Sequence, residues 1–384
     1  MAMIRRIQFG LSAVLVAALA ACGGGGSDTT PRTSVTTLRV IGDSLADVGT
    51  YGFKFTVQGN DTYPERVSQA YGLGKGCNFF AFTGTTFAVN TAKTGCTNYA
   101  IGASVINPSS GGFTAADPRG VAVQIATATA AGNFTAGDLL LVDGGGNDAS
   151  ALVGAYLAAA KDGGASYLAL LGTVLTPAQV GAAAAGGAAG LATAGGTYMA
   201  ALADKFAAML QTGALDKGAQ RIALLNMPGI TNTPRFQMVL DSIAAASGGG
   251  TAGATARAQS EGLFKSWTVA FNTQLAAKFA GNSKVAIVDF YTAFNDQIAS
   301  PAQFNLTNVK TPACPITGVG TDGLPTYSFP TCTDASLAAA PQIGTTGADW
   351  YKSYAFSDGF HPTPYGHQLT SQLISRTLAQ AGWL

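Results

Sequence analysis

Leu38-Arg39-Val40-Ile41-Gly42-Asp43-Ser44-Leu45-Ala46-Asp47 is the stretch whose reading decides the fold. A short, mostly apolar run ends at a glycine, and a serine follows two residues later. Continuous apolar runs closed by turn residues suit strands buried on both faces of a parallel sheet. The same style recurs at Asn98-Tyr99-Ala100-Ile101-Gly102, at Asp138-Leu139-Leu140-Leu141-Val142-Asp143, at Arg221-Ile222-Ala223-Leu224-Leu225 and at Val285-Ala286-Ile287-Val288-Asp289. Helical patterns occupy 63–71, 198–210, 258–279 and 365–381. Strands alternating with helices predict an α/β fold, a three-layer α/β/α sandwich around a mainly parallel, five-stranded sheet. Ligands of such sheets gather at the carboxyl ends of the strands, so the glycine turns after residues 41, 101 and 143 are the places to look.

Composition sets the outer limits. The chain has 384 residues, 47% hydrophobic and 11% charged, with a formal net charge of +1. That mix buries a full core and argues against wholesale disorder. No basic stripe exists to neutralise phosphates, so no nucleic-acid partner is expected. Residues 151–196 are rich in alanine and glycine and read as a helical insertion with a loose turn at Gly186-Gly187-Ala188-Ala189-Gly190. Residues 299–350 are rich in proline, threonine and glycine and read as a long loop excursion.

Residues 1–22 read as a targeting segment. Arg5 and Arg6 form a positive start, 11–21 is apolar but short for a bilayer span, and Leu19-Ala20-Ala21-Cys22 closes it. The segment resembles a bacterial lipoprotein signal, whose cysteine receives lipid after cleavage. An ordinary secretory peptide, with Cys22 lost or idle, is the alternative. The resemblance implies a membrane partner through a lipid anchor at Cys22 and a place in the bacterial cell envelope. The outer membrane is favoured because Gly23, not aspartate, follows Cys22. Residues 23–36 then form a flexible tether. Removing Cys22 leaves Cys77, Cys96, Cys314 and Cys332, an even number. Four cysteines allow three pairings, and in an oxidising compartment local pairing of Cys77 with Cys96 and Cys314 with Cys332 is the expectation. Each bridge would close a loop worth about 3 kcal/mol.

Histidine is scarce. His361 and His367 are the two in the chain, both within Asp358-Gly359-Phe360-His361-Pro362-Thr363-Pro364-Tyr365-Gly366-His367. A histidine-rich metal site is excluded, there is no His-Glu-x-x-His, and no metal or cofactor is expected. Ser44 follows a predicted strand, where a helix N-cap is the ordinary role of a serine. A serine nucleophile there would need a base to take its proton. Asp358, three residues before His361, can hold one imidazole nitrogen and leave the other for a serine. His367 reads as part of the last helix. Asn147, in Gly144-Gly145-Gly146-Asn147-Asp148, can donate to an oxyanion or simply form a turn. Gly102 offers a flexible N–H after another strand. Phe79, Phe80, Phe82 and the 299–350 excursion are candidates to line an apolar groove, or equally core and surface.

Four blocks stand in order: Gly42-Asp43-Ser44-Leu45, Asn98-Tyr99-Ala100-Ile101-Gly102, Gly145-Gly146-Asn147-Asp148 and Asp358-Gly359-Phe360-His361-Pro362-Thr363. In this the chain resembles the GDSL or SGNH hydrolases, most of all the bacterial lipase, phospholipase and haemolysin-type branch. Gly102-Ala103-Ser104 departs from that branch, which often has two glycines there. The resemblance implies a single hydrolase catalytic domain over 37–384 and a serine esterase or lipase acting on small-molecule or lipid esters. Ser44 would be its nucleophile, His361 its base, and Asp358 the group orienting that base. The N–H groups of Ser44 and Gly102 and the side chain of Asn147 would form the oxyanion hole. Asp43, Asp47 and Asp148 read as structural. A phospholipase, an acyltransferase, a glycan O-deacetylase or a non-catalytic envelope lipoprotein are the alternatives the sequence leaves open.

Overall fold

A computed structural model describes residues 34–130 and 132–384. Residues 1–33, with the signal-like segment, Cys22 and most of the tether, lie outside the described residues. Among the described residues, eight strands run β1 (Thr37–Ile41), β2 (Phe80–Phe82), β3 (Phe87–Val89), β4 (Asp138–Val142), β5 (Ile222–Leu225), β6 (Val285–Val288), β7 (Ile316–Val319) and β8 (Pro325–Tyr327). The central sheet has the order β1-β4-β5-β6, all parallel. The other four strands form two antiparallel hairpins, β2-β3 and β7-β8.

Alternation along the strands explains the three layers, because successive side chains point to opposite faces. Ile41, Leu140, Val142, Ile222 and Leu224 face one core. Val40, Leu139, Leu141, Ala223 and Leu225 face the other. Both sets are at most 3% exposed, so both faces need helical cover. Helices α1 (Tyr63–Ala70) and α11 (Pro364–Gln380) close the second face, through Tyr63, Val67, Ile374 and Leu378. The first is closed by α2 (Val121–Ala130), α3 (Gly146–Asp162), α4 (Ala165–Leu171), α5 (Pro177–Ala185), α6 (Gly187–Gly213), α7 (Pro234–Ala246) and α8 (Gly250–Lys278). The remaining α-helices among the described residues are α9 (Phe290–Ala299) and α10 (Asp334–Ala339).

The sheet has four strands where five were expected. The missing run does lie beside β1 and parallel to it. Val40 N–H donates to Thr97 O at 3.0 Å, Tyr99 N–H to Val40 O at 2.8 Å and Ile101 N–H to Gly42 O at 3.2 Å. It meets β1 in a single bridge, Val40 with Asn98. Asn98 explains why. Its side chain accepts the Ala100 N–H at 3.0 Å and donates to Ala46 O at 2.8 Å, which bends the segment out of regular extension.

The alanine- and glycine-rich stretch 151–196 spans α3 to α6. The chain breaks between α5 and α6 at Gly186 and Gly187, where Gly187 has φ +57°. The 299–350 stretch carries the β7-β8 hairpin and α10 as well as loops. Cys77 is bonded to Cys96 and Cys314 to Cys332, with Cα separations of 4.8 and 5.5 Å.

Candidate active site

β1 delivers its chain end into a tight turn. The N–H groups of Ala46 and Asp47 both donate to Asp43 O, at 3.1 and 3.0 Å, and Leu45 N–H donates to Asp43 Oδ1 at 3.0 Å. Ser44 sits at the head of that single turn. Gly42 is required before it, since a Cβ there would lie 2.0 Å from Asp143 Oδ1. Asp143 follows β4, accepts the Asp43 N–H on Oδ1 at 2.9 Å and takes the Tyr63 hydroxyl on Oδ2. Burial, then the neighbouring Asp143, pushes the Asp43 carboxyl well above the usual carboxylate range.

His361 arrives from the loop before α11. Its Nε2 is 2.8 Å from Ser44 Oγ, and its Nδ1 is 2.9 Å from both carboxylate oxygens of Asp358. Facing a carboxylate, Nδ1 carries the proton, which leaves Nε2 as acceptor toward the serine. Asp358 Oδ1 also accepts the N–H groups of Phe360 at 2.9 Å and His361 at 2.7 Å. Burial works against the charged forms of both residues. For Asp358, the His361 ring and these N–H bonds outweigh burial and hold its pKa below the usual range. For His361, the Asp358 charge and hydrogen bond, with Asp43, outweigh burial and hold the imidazole above its usual 6.5. The loop is braced from outside. Ser357 N–H donates to His361 O at 2.7 Å, and Cys314 N–H donates to Ser357 O at 2.8 Å, tying the second disulfide to it.

α3 begins directly after the turn that follows β4. Gly144 and Gly145 take φ values of +159° and +99° there. A Cβ on Gly145 would lie 2.9 Å from Met227 Cε. Asn147, in the first turn, donates from Nδ2 to Ser104 O at 2.9 Å. One N–H of an amide NH₂ satisfies that bond, and the second remains for a ligand.

Gly102 does not occupy the expected role. Its N–H donates to Asp47 Oδ2 at 2.9 Å, inside the protein. Its lack of a side chain serves packing, since a Cβ there would lie 2.3 Å from Phe55 Cζ. The next residue, Ala103, lines the cleft with Ser44 and Asn147. Ala103 has φ +65°, a left-handed conformation that costs a non-glycine residue about 1–2 kcal/mol. Among the described residues, the N–H groups of Ser44 and Ala103 make no hydrogen bond within the protein. Ser44, Ala103 and Asn147 thus line the cleft with N–H groups not taken up within the protein, whereas the Gly102 N–H is engaged.

The cleft over these groups has a volume of about 240 Å³. Its walls are largely apolar, with Leu45, Phe55, Met227, Ile230, Phe236 and Phe360 prominent. Phe79, Phe80 and Phe82 are not among its lining residues. Phe80 is core and Phe82 is exposed. From the 299–350 stretch, Phe329 reaches the site and meets the His361 ring edge-on at 5.4 Å; Phe55 lies 5.1 Å from the same ring and 5.5 Å from Phe329, so the three rings form one cluster. Ala103, Phe55 and Phe329 were not singled out in the sequence. Only the departure at residue 103 was a signal. His367 lies buried in α11, where its Nδ1 accepts the Tyr63 N–H at 3.3 Å, away from Ser44.

An aspartate, a histidine and a serine bonded in series at the carboxyl end of a parallel sheet form the arrangement of a serine hydrolase. The family model for GDSL-like lipase/acylhydrolase matches residues 38–374, and the chain belongs to that family of esterase- and lipase-type hydrolases. No curated protein is similar enough to the chain to add a further comparison.

Proposed function

We propose that this protein is a carboxylic ester hydrolase that works through an acyl-enzyme on Ser44. The observation that carries the reading is the series Asp358, His361, Ser44, joined at 2.9 and 2.8 Å beneath an apolar cleft. Ser44 Oγ bonds to the acyl carbon as its proton passes to His361 Nε2. The carbonyl electron pair moves onto oxygen and is met by the N–H donors of Ser44, Ala103 and Asn147. The oxyanion then collapses, the bond to the alcohol oxygen breaks, and the alcohol leaves with the proton from His361. Water repeats the sequence and releases the acid. Asp358 holds the tautomer and balances the imidazolium. The apolar walls favour an acyl chain over a polar or charged one.

Purified protein should turn over p-nitrophenyl esters and release free acid. Product analysis with an added primary alcohol separates hydrolysis from transfer. Formation of the new ester as main product would contradict the hydrolase reading. We infer from residues 1–22 alone that the enzyme is anchored in the cell envelope through lipid on Cys22. Metabolic labelling with palmitate, retained after Cys22→Ala, would overturn that.

A further inference from the structure

Asp47 is fully buried, and its two oxygens do different jobs. Oδ1 accepts the N–H groups of Gly49 and Thr50, at 2.8 and 2.7 Å, and shapes the turn after Ser44. Oδ2 reaches across to the other segment and accepts the Gly102 N–H at 2.9 Å. Burial pushes this carboxyl up to about 6, against the pull of those three N–H groups. An anion held in such a place by N–H groups is retained at a cost, and the Gly102 bond is the long-range contact it makes.

The residue after Gly102 is the strained Ala103. A left-handed alanine persists only where the surroundings over-determine it. The ties are visible on both sides. Ser104 donates from its hydroxyl to Ile101 O at 2.6 Å and receives Gln124 Nε2 at 2.7 Å. Further along, Asp148 accepts the Ile106 and Asn107 N–H groups, each at 2.9 Å. On the Ser44 side the Tyr51 hydroxyl donates to Gly102 O at 3.2 Å, and Asp47 holds the Gly102 N–H, the peptide group next to Ala103.

We propose that Asp47 is a positioning residue for oxyanion stabilisation: by holding the Gly102 N–H it fixes the Ala103 N–H as the loop's donor to the cleft beside Ser44. The proposal rests on the acyl-enzyme reading above. Coupling runs through the shared turn, because the carboxylate that shapes the backbone after the nucleophile also holds the donor loop. The two halves of the hole therefore keep one geometry.

Asp47→Asn tests this selectively. The amide oxygen keeps both turn bonds, while the amide nitrogen meets the Gly102 N–H donor to donor. The expected result is a fall in kcat of roughly tenfold to hundredfold, less than the loss of a whole oxyanion donor. KM should move little, and the inhibition constant of an alkylboronic acid, whose oxygen occupies the oxyanion position, should rise in step with the loss of kcat. Adding Ala103→Gly, which removes the left-handed penalty, should recover part of the rate. Unchanged kcat, or equal changes in kcat and KM with boronate binding intact, would overturn the proposal. A measurement on the unmutated protein covers the case of a variant that does not fold. In amide NMR, boronate binding should shift the Ala103 N–H strongly and leave the Gly102 N–H protected; a Gly102 N–H that leaves Asp47 for the boronate would overturn it. Ser44→Ala separates the two levels. Full turnover in that variant sinks the acyl-enzyme reading, whereas an inactive Ser44→Ala beside a normal Asp47→Asn sinks only the role of Asp47.

Discussion

His361 Nε2 and Ser44 Oγ lie 2.8 Å apart across 317 residues of sequence. The two reach one point because β1 and the loop before α11 both deliver their residues to the carboxyl end of the sheet. Asp358 and His361 come as one unit, fixed by the N–H bonds of Phe360 and His361 to the same carboxylate oxygen.

That unit sets the pH dependence of the rate. His361 must be neutral to accept the serine proton, and Asp358 and Asp43 hold its pKa above 6.5 in spite of burial. Activity should therefore rise with pH through an inflection above 6.5. Asp358→Asn removes the neighbouring charge and the correct tautomer. The inflection should move to lower pH, and kcat should fall by about 10³–10⁴-fold. A kcat–pH profile of both proteins checks the two shifts.

Asn147→Ala removes one donor to the developing oxyanion and the bond to Ser104 O. The expected cost is about 10²–10³ in kcat, with KM changed far less, as for a group that acts on the transition state. Steady-state kinetics on a p-nitrophenyl ester measure the split. An equal rise in KM instead would mean that Asn147 binds the ground state.

His367 is expected to affect acid stability and not the reaction. Burial, aided by the charge of His361, pushes its pKa down from 6.5 to about 3. Between those values the unfolded chain takes up a proton that the folded protein refuses, so stability is lost as pH falls from about 6.5 toward about 3. The raised carboxyls of Asp43, Asp47 and Asp148 act with the opposite sign, so the variant isolates the histidine. His367→Gln, which can still accept the Tyr63 N–H, should lose less stability between pH 7 and pH 5 than the parent. Urea midpoints at the two pH values measure this.

The parts of the site that were legible in the sequence are those fixed locally. A three-residue spacing joins Asp358 to His361, and a strand followed by glycine exposes Ser44. The strands were legible because alternate residues fill two cores, which leaves unbroken apolar runs. The fifth strand was not lost in place but in regularity, through side-chain bonds of Asn98 that no hydrophobic pattern reports. Gly102 misled because its flexibility suggested a donor. Where its N–H points depends on the burial of Asp47, 55 residues away, and that is a tertiary property. The departure at residue 103 marked the position, but nothing in an alanine announces a positive φ, so its conformation was illegible. Phe55 and Phe329 pack against His361 and each other only because the chain folds both segments over it.

The central claim is that Ser44 is the nucleophile, and covalent labelling by a fluorophosphonate tests it most directly. The folded protein should take up one probe, and peptide mass spectrometry should find it on Ser44, with no uptake by Ser44→Ala. Folded protein that takes no label, or equal labelling of Ser44→Ala, would contradict the account.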